Sequence, residues 1–162
     1  MNVFEHVFPA AEGPPIRLDR WHGQPILITN TASKCEFTPQ YEGLQGVYEE
    51  FRRSGLQVVA LPSNDFGDGE PEDVSGLMPH LIETYGVTFP VSSTIRIRGT
   101  GAHPLFVALR DRYGEDIMPR WNFHKYLFDR QGDLVQGWPA QVTPADPDFR
   151  HQLQRNLNSW IL

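Results

Sequence analysis

The chain has 162 residues and a formal net charge of −6, from 14 basic and 20 acidic side chains. With 40% hydrophobic and 21% charged residues it reads as one ordinary soluble domain, long enough to bury a core without a covalent staple. The acidic balance argues against a general binder of nucleic acid or anionic membrane, and no apolar run approaches the roughly 20 residues of a membrane span. There is one cysteine, Cys35, so an intramolecular disulfide and a paired-cysteine redox motif are both excluded. Met1 to His6 shows no basic stretch leading into an apolar core, so no secretory signal is expected, and a reducing, cytoplasmic setting is the expectation.

Residues 1–15 read as an irregular lead-in that ends at Gly13-Pro14-Pro15. Pro25 to Asn30 is a continuous apolar run of strand length, as in a strand buried on both faces. Thr38-Pro39 opens a helix, with Thr38 as its N-cap and Pro39 in the first helical position. Tyr41, Leu44, Tyr48 and Phe51 recur at three- and four-residue spacing, and Gly55 sits where a left-handed residue ends the turn. Gln57 to Leu61 is a second buried strand, and Asn64 to Pro71, rich in Gly and Asp, is a loop. Glu72 to Tyr85 is a helix that Pro79 should kink or interrupt. Val87 to Val91 is a short third strand, and Ala102 to Arg112 a short helix. Asn122 to Asp129 is a strand that Arg130-Gln131-Gly132-Asp133 turns back into Leu134 to Trp138, forming a hairpin. Phe149, Leu153, Leu157 and Trp160 place a closing helix over Asp146 to Leu162. Alternating β and α units followed by an antiparallel hairpin predict an α/β fold, a thioredoxin-like mixed sheet flanked by helices.

Cys35 falls between the end of the first buried strand and the start of the first helix. In open α/β sheets, ligands and chemistry gather at that edge. A helix N-terminus presents free N–H groups and partial positive charge, which favour a thiolate, and Lys34 adds a neighbouring cation. A thiolate attacks a peroxide oxygen and becomes a sulfenic acid. The competing reading of a lone cysteine is a small buried hydrophobe.

The segment Asn30-Thr31-Ala32-Ser33-Lys34-Cys35-Glu36-Phe37-Thr38 resembles the signature that glutathione peroxidases carry around their catalytic selenocysteine or cysteine. Four further segments follow in that family's order: Leu61-Pro62-Ser63-Asn64-Asp65-Phe66-Gly67, then Glu70-Pro71, then Tyr85-Gly86-Val87-Thr88-Phe89-Pro90, then Trp121-Asn122-Phe123-His124-Lys125-Tyr126-Leu127. The resemblance runs from about Gly23 to Trp138. It implies a peroxidase that reduces hydrogen peroxide or organic hydroperoxides, with an active site of Cys, Gln, Trp and Asn. Cys35, Trp121 and Asn122 match three of these residue by residue. It implies no metal or organic cofactor, and an external thiol such as glutathione as reductant. In those roles the Asn122 amide and the Trp121 indole supply N–H donors; an indole N–H only donates, so it stabilises an anionic sulfur and takes no proton. Read without the family, Trp121 is a packing residue and Asn122 a turn or strand-edge residue.

Three departures from the family pattern stand out. The Gln position is Asp65, and an ionised carboxylate accepts hydrogen bonds where an amide can donate them. Beside a thiol it disfavours the thiolate, unless it serves as the thiol's proton acceptor. Glu36 stands where the family usually has Gly, adding a second negative charge. The second cysteine of thioredoxin-dependent members is missing: its position matches Leu81, and another frequent family cysteine matches Ser63. A sulfenic acid on Cys35 must then be cleared by an outside thiol, or by an intermolecular disulfide. The alternatives are a weakened family member with a redox-sensing or binding role, motivated by Asp65 and Glu36, and a thiol transferase, which the missing second cysteine disfavours.

The six histidines show no metal-site spacing, and His103 and His124 read as structural or surface residues. The acidic run from Asp65 to Asp73 lacks a calcium-loop pattern. Neither Gly67-Asp68-Gly69 nor Gly99-Thr100-Gly101 joins a strand to a helix, so nucleotide binding is unsupported. Arg96 and Arg98 are candidate contacts for an anionic thiol such as glutathione, but surface charge is the favoured reading.

Overall fold

The computed structural model describes residues 1–67 and 76–157. The lead-in is more ordered than its sequence suggests. Val3–Glu5 forms a 3-10 turn, β1 (Val7–Phe8) pairs antiparallel with β2 (Ile16–Arg17), and a second 3-10 turn spans Leu18–Trp21. Elements of two to four residues are too short to leave a period in the sequence. They are held by burial instead: Val3, Phe4, Phe8, Ile16 and Leu18 all lie in the core.

The apolar runs then build the central sheet. β3 (Ile26–Thr31) leads through α1 (Gln40–Phe51) to β4 (Gln57–Pro62), which lies parallel to β3. α1 runs on as a 3-10 turn over Arg52–Ser54 and stops at Gly55, whose φ of +104° is left-handed as expected. α2 (Leu77–Tyr85) and α3 (Pro104–Tyr113) follow, then β5 (Lys125–Phe128), β6 (Leu134–Trp138) and α4 (Pro147–Leu157). The strand order is β4-β3-β5-β6, with β5 antiparallel to both β3 and β6. Side chains alternate between the faces, as the two-residue period of a strand requires. Leu27, Val58, Ala60 and Leu127 pack with α1, α2 and α4 on one face. Ile28, Val59, Leu61, Tyr126 and Phe128 pack with α3 and the N-terminal segment on the other. This is the expected mixed sheet with helices on both sides.

Four expectations need correction. Pro79 does not kink α2: it is the third residue of the helix, in the first turn, where a missing N–H costs no intrahelical bond. Val87 to Val91 forms no strand; Val91 makes an isolated bridge to Ala60, and Pro90, lacking an N–H, cannot extend the ladder. Thr38 does not cap α1. Its hydroxyl accepts from the Cys35 N–H (2.9 Å) and donates to the Ala32 carbonyl (2.8 Å), and α1 begins two residues later. The strand expected from Asn122 starts only at Lys125, because Phe123 takes a left-handed backbone (φ +67°) that breaks the extended run. The expected loop beyond Gly67, the first residues of the helix expected from Glu72, and the last residues of the closing helix, Trp160 among them, fall outside the described residues.

The topology sets the position of the site. β3 and β4 are parallel, so the segments that leave them, 32–39 and 63–67, emerge at one edge of the sheet. β5 is antiparallel, so the segment that enters it, 119–124, arrives at that same edge.

Candidate active site

Cys35 sits in a run of tight turns between β3 and α1. The N–H groups of Thr38, Gln40, Tyr41 and Glu42 each bond the carbonyl three residues back, starting at the Cys35 carbonyl. The thiol is half-buried, and its Sγ accepts from the Phe37 N–H at 3.3 Å. The nearest donor to the sulfur is thus a turn N–H, with α1 itself starting five residues further on. Thr38 bonds the loop from beneath, and the Tyr41 hydroxyl donates to Thr31 Oγ1 at 2.6 Å, tying the first turn of α1 to the end of β3.

Asn30, a fully buried amide near the end of β3, organises the opposite wall. Its Nδ2 donates to the Trp121 carbonyl (2.9 Å), its Oδ1 accepts from the His124 N–H (3.1 Å), and its carbonyl accepts from the Phe123 N–H (2.6 Å). The segment carrying Trp121 and Asn122 is therefore fixed to the strand that leads to Cys35. Asn122 is buried; its Nδ2 donates to the Phe66 carbonyl at 3.2 Å, while its Oδ1 has no partner among the described residues. Trp121 is 41% exposed, and its ring lies against Gly67. Loop 64–67 and the Trp121–Asn122 pair are thus in direct contact.

Asp65 reaches this loop but points elsewhere. Its Oδ2 accepts from the backbone N–H groups of Ile97 (2.6 Å) and Arg98 (3.1 Å), and its own N–H donates to Ser63 Oγ (3.1 Å). Arg98 completes the clamp: its guanidinium donates to the Asp65 carbonyl and lies over the Phe66 ring. Arg98, expected as surface charge, has a structural partner. Among the described residues no hydrogen bond joins the Cys35 sulfur to Asp65, Trp121 or Asn122.

A cleft of about 790 Å³ opens beside the thiol loop. Glu36 and Phe37 form one wall, and Ile117, Met118, Trp121 and His124 another. Glu36 therefore faces the cleft that Trp121 shares. His124, read as structural or surface, is largely buried. Burial, with the Lys125 cation beside it, pushes its imidazole down to about 4, so the ring is neutral at ordinary pH. Lys125 is fully buried, and burial pushes it down to about 7. Tyr126 is also pushed up by burial, with its hydroxyl donating to the Ile117 carbonyl at 2.6 Å. Asn30 and Lys125 were not legible as site residues; the available signal was a buried-strand position occupied by an amide or an ammonium. His103 is structural as expected: its Nδ1 accepts from the Leu105 N–H at 3.1 Å, capping α3. Leu81 is completely buried, and Ser63, also buried, is spent on the Asp65 N–H, so both positions of a family cysteine serve packing or loop structure here.

Comparison with known proteins identifies the family and the fold. The family model described as glutathione peroxidase matches residues 3–110. The chain is 42% identical over 148 residues to a hydroperoxy fatty acid reductase of Synechocystis sp., covering 85% of this chain and 86% of the relative. It is 37% identical over 149 residues to a glutathione peroxidase-like peroxiredoxin of Chlamydomonas reinhardtii, covering 91% of each. Among solved structures it is similar to GPX1 of T. cruzi, with a TM-score of 0.75, 26% identity, and coverage of 98% of this chain and 97% of the other. A thiol:disulfide interchange protein of the thioredoxin family from Chlorobium tepidum, at 16% identity, shares the fold alone, with a TM-score of 0.66 over 94% of this chain and 92% of the other. The fold is thioredoxin-like, and the chain belongs to the glutathione peroxidase family of peroxidases.

Proposed function

We propose that this chain reduces hydrogen peroxide and organic hydroperoxides through Cys35 alone, and that a small external thiol such as glutathione restores it. The observation that carries the reading is the placement of Cys35 at the edge where Trp121 and Asn122 arrive, in a loop whose next two residues line the same cleft as Trp121. In the first half-reaction the sulfur attacks one peroxide oxygen and the O–O bond breaks. Cys35 becomes the sulfenic acid, and the alcohol or water leaves with the thiol's proton. Trp121 and Asn122 supply N–H donors to the charge that develops on sulfur and on the leaving oxygen. In the second half-reaction one external thiol condenses with the sulfenic acid, releasing water and leaving a mixed disulfide. A second external thiol displaces Cys35 and departs as the oxidised disulfide. No metal or organic cofactor enters this cycle.

Asp65 is an anchor in this scheme rather than the thiol's proton acceptor. Its carboxylate already accepts two backbone N–H groups, from Ile97 and Arg98, which holds it towards that segment. The apolar side chains of Phe37, Ile117 and Met118 along the cleft suit an organic hydroperoxide, and the Synechocystis relative is named for hydroperoxy fatty acids. Turnover is tested by following peroxide loss with glutathione as reductant, for hydrogen peroxide and an organic hydroperoxide, in the wild type and in Cys35→Ser. Catalysis that disappears in the variant supports the reading; a rate no greater than that of glutathione alone for both peroxides contradicts it.

A further inference from the structure

Lys125 is a fully buried lysine. It is the first residue of β5, with no exposed surface, and among the described residues no carboxylate pairs with it. Burying an unpaired amine costs its solvation unless it makes a specific contact. Here its Nζ donates to the Phe123 carbonyl at 2.7 Å. Phe123 is the residue with the left-handed backbone, the one non-glycine position of that kind among the described residues. That conformation is disfavoured for a bulky side chain and persists only where its surroundings impose it.

Three contacts impose it. The Phe123 N–H is held by the Asn30 carbonyl, its ring is buried edge-on against Tyr41 (ring centroids 5.4 Å apart), and its carbonyl is held by Lys125. Without the kink, residues 122–124 would continue β5 as an extended strand, and side chains would alternate across the sheet. With it, the chain turns at Phe123 so that Asn122 reaches the Phe66 carbonyl and Trp121 lies on Gly67. The kink thus converts a strand into the wall of the thiol site.

We propose that Lys125 is a positioning residue for the peroxidase site, locking the left-handed Phe123 backbone through its carbonyl and so fixing Trp121 and Asn122 beside the Cys35 loop. This rests on the peroxidase reading above. Lys125 touches no reacting atom; it acts through the backbone of Phe123.

The test separates site geometry from simple thiol reactivity. Two second-order rates are measured by stopped flow on folded protein: oxidation of Cys35 by hydrogen peroxide, and its alkylation by iodoacetamide, which needs no donors aimed at an oxygen. Lys125→Met keeps an unbranched side chain that fills all but the last atom of the lysine and removes the donor. The expected result is a loss of tenfold or more in oxidation with alkylation within about twofold of wild type. Lys125→Arg, which keeps a charged donor, is expected to recover much of the loss. If Lys125→Met does not fold, Lys125→Gln, whose donor is one bond too short to reach the carbonyl, is judged by the same ratio. An unchanged ratio, or both rates falling together in proportion to unfolded protein, overturns the inference. Failure of the underlying reading has a different signature: the wild-type thiol itself would show no rapid oxidation.

Discussion

Asp65→Ala distinguishes an anchor from a chemical base. The carboxylate holds the segment at Ile97 and Arg98 through two N–H bonds of 2.6 and 3.1 Å to one oxygen. A hydrogen bond to a charged group contributes about 1.5–3 kcal/mol net, and the Arg98 side of the pair is exposed, so the lower figure applies there. Loss of both is expected to cost about 3 kcal/mol, or roughly 6–12 °C in Tm for a chain of this size. Peroxide oxidation of Cys35, measured per folded molecule by stopped flow, is expected to fall less than tenfold. Asp65→Gln, which restores the family's residue, keeps one acceptor; it should lose about half as much stability and oxidise at least as fast as wild type. The reasoning is refuted if Asp65→Ala melts within a degree of wild type while oxidation drops a hundredfold. The carboxylate would then be serving the thiol.

Three further outcomes follow from the same geometry. Thr38→Val removes the hydroxyl that joins the Cys35 N–H to the Ala32 carbonyl, and should destabilise the fold by about 1–3 kcal/mol and slow peroxide oxidation, both measurable on one preparation. His124, held near 4 by burial, binds its proton less readily in the folded than in the unfolded chain. Its stabilising contribution is therefore complete above about pH 6.5 and is lost as the pH falls towards 4, by up to roughly 3 kcal/mol; His124→Gln should flatten that limb of a stability-against-pH curve. Gly137→Ala places a Cβ 3.1 Å from His124 Nε2 and 3.4 Å from the Tyr126 ring, so the variant should lose about 1–3 kcal/mol in chemical denaturation.

The sheet and its helices were legible from hydrophobic patterning: Ile26 to Ile28 and Val58 to Leu61 are apolar runs of buried-strand character, and α1 repeats at helical spacing. The N-terminal strands were not, since two residues define no period. Cys35 was visible from its place between strand and helix, while Trp121 and Asn122 were visible only through resemblance, with Asn122 at the start of an expected strand. What removes Asn122 from that strand is the kink at Phe123, whose cause lies partly at Asn30, more than ninety residues away in sequence. Asp65 illustrates the converse. Its substitution for the family's Gln was plain in the sequence, but its partners at Ile97 and Arg98 depend on how two loops meet.

The central claim is that Cys35 is the group oxidised by peroxide. Reduced protein is mixed with one equivalent of hydrogen peroxide or of an organic hydroperoxide, and intact mass and a sulfenic-acid trap are read over time, beside Cys35→Ser. The account predicts rapid gain of one oxygen at Cys35, complete reversal by glutathione, and no change in the variant. A thiol that stays reduced while peroxide persists, or oxidation that proceeds equally in Cys35→Ser, would contradict it.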